Sequence, residues 1–120
     1  MTALSLARQL LDSTRRHVEK SDDPYVISRF GDLQIRVDVA AALLERAETH
    51  PSPVAATEAQ IAAAEALIAA SNAEFELTGQ RTSLSGSLHD PLRWKLQLIG
   101  NFRLNGIHPP SLHTSTKGAV

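Results

Sequence analysis

Five histidines, at positions 17, 50, 89, 108 and 113, are the side chains best suited to acid–base or metal chemistry in this 120-residue chain. None pairs with another three or four residues away on a helical pattern, and no Glu-x-x-His occurs. The ligand pattern of a metal-carrying bundle is therefore missing, and no metal site is expected. There is no cysteine, which removes thiolate nucleophiles, disulfides and Cys-based zinc sites. His89 is set apart by its place, directly before Asp90-Pro91. An imidazole there is either a solvated loop side chain steadying the Asp90 carboxylate or a proton donor above a helix N-terminus, where the macrodipole favours anions. Arg81 with Thr82, Ser83 and Ser85 has the donors of a phosphate cradle. The same residues also describe an ordinary polar loop, and no Gly-rich phosphate signature accompanies them. Arg15 and Arg16 read as cations placed near a helix C-terminus. Trp94, the only tryptophan, reads as a ring buried in a core or a subunit contact.

Four helical segments position these residues. Leu4, Ala7, Leu11, Thr14 and Val18 line one face of a first helix, which frays into Glu19-Lys20-Ser21-Asp22. Asp23-Pro24 opens a second: the carboxylate accepts from free N–H groups of the first turn, and Pro at the next position lacks only a donor that has no partner there. Phe30, Leu33, Val37, Ala40, Leu44 and Ala47 form its stripe. Ile27, Ile35, Val39 and Leu43 form a second apolar set, which predicts packing on two sides. Pro51 and Pro53 stop this helix by His50. A third begins after Pro53, with a capping-box spacing at Thr57 and Gln60 or an earlier start at Ser52-Pro53. Ten of the nineteen residues from 55 to 73 are alanine, the best helix former. Its expected inner stripe is Ile61, Ala64, Ile68, Ser71 and Phe75, with Gly79 as the stop. Residues 80–88 read as loop. A fourth helix from Asp90-Pro91 runs through Trp94, Leu96 and Ile99, past Gly100 towards Leu104.

The expected fold is all-α, an antiparallel bundle of three to four helices over residues 1–110, with 111–120 as a flexible tail. Twelve basic against thirteen acidic residues give a net charge of -1. That balance argues against nucleic-acid binding, and the loops do not match a helix-turn-helix. No apolar run reaches the ~20 residues of a membrane span or the character of a signal peptide, so no membrane partner and a cytoplasmic location are expected.

The run His89-Asp90-Pro91-Leu92-Arg93-Trp94-Lys95, then Ile99-Gly100-Asn101-Phe102-Arg103-Leu104-Asn105-Gly106 and Pro109-Pro110, resembles the C-terminal end of acyl-CoA dehydrogenase-fold proteins. It is most similar to flavin-dependent monooxygenases of the dibenzothiophene-desulfurisation and sulfur-acquisition type. Asp23-Pro24 with Phe30-Gly31-Asp32-Leu33, and the Ala-rich helix ending in Thr78-Gly79, resemble that family's C-terminal bundle as well. The resemblance implies an oxidoreductase using FMN or FAD. In the monooxygenase branch this is reduced FMN from a separate flavin reductase, used with O2 on a sulfur- or nitrogen-containing small molecule. It implies His89 as the catalytic residue beside the flavin, Arg81 and Ser87 as cofactor-binding residues, and a homo-oligomer or a partner chain carrying the missing domains.

The family's R-x-W-R-N-x-R-T-H segment before the histidine has no counterpart here, and Gly86 stands where its second histidine would be. Its N-terminal and β domains are absent too, so the isolated chain, whether a C-terminal domain or a truncated form, is expected to lack turnover. The alternative reading is a non-enzymatic helical oligomerisation or interaction module, driven by apolar helix faces left uncovered.

Overall fold

The computed structural model describes residues 2–84 and 92–110. They form four helices and, among the described residues, no strand: α1 (Ala3–Val18), α2 (Pro24–Thr49), α3 (Pro53–Thr78) and α4 (Leu92–Asn105). None of these helices is long and apolar enough to cross a membrane.

Local chemistry sets the boundaries. Thr2 caps α1, its hydroxyl accepting from the Ser5 N–H at 3.1 Å while the Ser5 hydroxyl accepts from the Thr2 N–H. Arg15, Arg16 and His17 occupy the last turn, where cations oppose the negative end of the dipole. Asp23 caps α2 by accepting from the Tyr25 N–H at 2.9 Å, with Pro24 next. Ser52 repeats this for α3, accepting from the Ala55 N–H at 3.0 Å ahead of Pro53. The earlier of the two possible starts is the real one. Thr57 lies inside the helix, its hydroxyl donating to the Pro53 carbonyl at 2.7 Å. Gly79 closes α3 in the left-handed region at φ 76, which a residue with a Cβ enters only with strain. Helix α4 runs past Gly100 and is closed by Gly106, whose N–H donates to the Phe102 carbonyl at 3.0 Å.

Only three residues connect α2 to α3, and the two pack along their lengths, which makes them an antiparallel pair. Helix α1 lies across both. The core is Leu4, Ala7, Leu10 and Leu11 of α1, Leu33, Val37 and Ala40 of α2, and Ala66, Leu67, Ala70 and Ala73 of α3. The alanines let the helix backbones approach closely around Leu33 and Leu67. Helix α4 packs on α3 and buries no residue of its own.

Two expectations about faces fail. In α3, Ile61 and Ser71 are buried and Ala64 is half-buried, but Ile68 and Phe75 stand outward at 42% and 54% exposure. With alanine on every side, the helix turns to bury Leu67 and its small neighbours instead. In α2, the second apolar set is not covered by this chain: Ile27, Ile35 and Val39 are exposed, and only Leu43 is half-buried. Trp94 likewise lies on the outside of α4, not in the core.

Candidate functional site

After Gly79 the chain turns back along α3. The Gln80 N–H donates to the Thr78 hydroxyl at 3.1 Å. Arg81 Nη1 then donates to Ser71 Oγ at 2.8 Å, with its guanidinium 5.1 Å from the centre of the Phe75 ring. Thr82 sends two bonds into one carboxylate: its N–H to Glu74 Oε1 at 2.7 Å and its hydroxyl to Glu74 Oε2 at 2.5 Å. Glu74 is buried, and these bonds satisfy a charge that would otherwise be costly to desolvate. Arg81 and Thr82 are thus engaged by α3. Ser85, Ser87 and His89 lie outside the described residues, as does the Asp90-Pro91 helix start.

The other described histidines are not brought together. Thr49 Oγ1 lies 3.1 Å from His50 Nδ1, and the His108 ring packs against Phe102 at 4.9 Å. No group of three or more potential metal ligands occurs among the described residues.

The largest groove, of about 770 Å³, runs between α2 and α3 and reaches the start of α4 at Leu92. Its polar residues form a network that sequence reading missed. The Tyr25 hydroxyl donates to Glu76 Oε2, and Arg29 Nε donates to Glu76 Oε1 at 2.7 Å. Arg29 also lies 3.6 Å from Asp32, which accepts from Arg36 Nε at 3.1 Å. The Tyr25 hydroxyl bond, with help from Arg29, holds the Glu76 carboxyl below its ordinary value of 4.5. Proximity to Glu76 raises the Tyr25 phenol above 10.0. Residues 25, 29 and 32 share one side of α2 by spacing, but their partner Glu76 is 51 positions from Tyr25, beyond the reach of any local pattern.

The groove is a shallow, water-filled trough, and both arginines lining it are ion-paired to carboxylates. A flavin needs an enclosing wall for its ring and donors for its phosphate. The described residues supply neither, so they do not fit that group. A second ionic junction joins three helices: Glu58 of α3 accepts from Arg46 of α2 and from Arg103 of α4, each at 3.0 Å. No family model, curated protein or solved structure matches this chain.

Proposed function

We propose that this chain is a helical bundle completed by further protein. By its resemblance, that protein is a flavin-dependent oxidoreductase of the acyl-CoA dehydrogenase fold, closest to the monooxygenase branch. The chain supplies the C-terminal bundle and has no turnover of its own. One observation carries the reading: large apolar side chains that a self-sufficient domain would cover stand outward, among them Trp94 and Leu96 within the very run that carries the resemblance. The open groove and the engagement of Arg81 by Ser71 support the absence of turnover.

The test is a fluorescence-quenching titration with FMN, followed by reconstitution with FMN, a flavin reductase and an aryl sulfide. The expected result is no saturable micromolar binding and no sulfoxide above background. Sulfoxide formation lost in His89→Ala would overturn the assignment of inactivity.

The second reading, a non-enzymatic oligomerisation module, is favoured by the exposed row Ile27, Ile35 and Val39 on α2. Sedimentation of the purified chain separates it from the first: a homo-oligomer forming without any other protein supports a module that needs only itself.

A further inference from the structure

We infer that the outer face of α2 is the contact surface for a second copy of this chain, paired antiparallel about a two-fold axis level with Gln34. The inference rests on reading the chain as a bundle completed by further protein. Ile27, Gly31, Ile35 and Val39 recur every four residues, forming one ridge of the helix surface. Ile27, Ile35 and Val39 are 55%, 63% and 49% exposed. Gly31 sits among them, inside a helix, where glycine weakens the structure relative to alanine.

Nothing within the chain requires that glycine. A Cβ built on Gly31 meets no atom within 4 Å. The gap it leaves faces outward, in line with the exposed isoleucines, and suits a side chain from outside the molecule.

The row is complementary to itself. A two-fold axis at the level of residue 34 sets Gly31 of one copy between Ile35 and Val39 of the other, a knob into a gap. The two Ile35 side chains meet beside the axis. An antiparallel two-fold pairing also keeps each flank of the ridge facing its own copy. Asp32 and Arg36, on one flank and equally spaced about residue 34, then come level with Arg36 and Asp32 of the second copy. Within one chain these two side chains are paired at 3.1 Å and both are about half exposed, so they are free to bridge to the second copy. Opposite charges meet at both ends, and the register is fixed by them as well as by the glycine gap.

The experiment uses the full chain, which has no cysteine of its own. Ile35→Cys places one thiol beside the axis, and Gln9→Cys on the exposed side of α1 is the control. Under a mild oxidant, Ile35→Cys is expected to form a disulfide-linked dimer and Gln9→Cys to stay largely uncrosslinked. In sedimentation, Asp32→Arg and Arg36→Asp are each expected to lose the dimer, and the double exchange D32R/R36D to restore it. Circular dichroism confirms that each variant keeps its helices. A dimer that persists in Ile35→Asp shows association through another face; it overturns this inference and leaves the oligomeric reading standing. A wild-type chain that stays monomeric throughout overturns both.

Discussion

Thr82 and Glu74 are joined by two hydrogen bonds, from the Thr82 N–H at 2.7 Å and its hydroxyl at 2.5 Å, and this pair pins the start of the loop that leads towards His89. Glu74 is almost fully buried, so its carboxylate depends on those donors. Thr82→Val keeps the shape and removes the hydroxyl bond to a charged acceptor. The expected cost is about 1–2 kcal/mol, read by chemical denaturation. Faster amide exchange at residues 80–84 would place the loss in this loop.

The Tyr25–Glu76–Arg29 network gives the fold an acid-sensitive contact. Glu76 is held below 4.5 when folded, so its contribution is present above that pH and is lost as pH falls through the depressed value. Tyr25→Phe removes the largest cause, and the Glu76 carboxyl is expected to move back up towards 4.5 in an NMR titration. Its unchanged position would show that Arg29 alone sets it. At the alkaline end the sign reverses: Tyr25 favours its protonated form, a contribution present below 10.0 and lost as pH rises through the raised value.

The core tolerates little loss at α2. Leu33 has no exposed surface and lies where α1, α2 and α3 meet. Leu33→Ala is expected to cost about 2–5 kcal/mol. Thr14 is the opposite case, for it is fully buried and its hydroxyl has no hydrogen-bond partner among the described residues. Thr14→Val removes that unsatisfied group with little change of shape and is expected to stabilise the chain by about 1 kcal/mol. Thermal denaturation of both variants checks the pair, and destabilisation by Thr14→Val would show that the hydroxyl does find a partner.

Helix starts and stops are legible in the sequence because they rest on one or two residues: Asp23-Pro24, Ser52-Pro53 and Gly79 each act where they stand. The face of α3 is not. Ten alanines between 55 and 73 leave the apolar pattern almost the same all round, so Ile68 and Phe75 look as suitable for the core as Leu67. Which of them goes inside is decided by the neighbouring helices. The pairs Tyr25–Glu76 and Thr82–Glu74 are hidden for a related reason, since a glutamate on a helix reads as solvated until the fold brings a donor to it. The exposed row on α2 was visible as an apolar pattern. That it faces away from this chain's own core was not, because pattern alone does not say which of two apolar faces is covered from within.

Glu58 ties α4 to the rest of the bundle through Arg103 and reaches α2 through Arg46. Exposed pairs of this kind contribute about 0–1 kcal/mol each and weaken with salt. Glu58→Gln is therefore expected to loosen α4 while leaving α1, α2 and α3 folded. Trp94, the only tryptophan, sits on α4 and reports this directly: its fluorescence anisotropy should fall in the variant, and in the wild type at high salt.

Sedimentation equilibrium of the full chain over a wide concentration range tests the central claim, that the outer face of this bundle is built to be covered by protein. The expected result is a dimer or larger assembly that Ile35→Asp dissociates. A single monomeric species at the highest concentration, with Ile35→Asp indistinguishable from wild type, would contradict it.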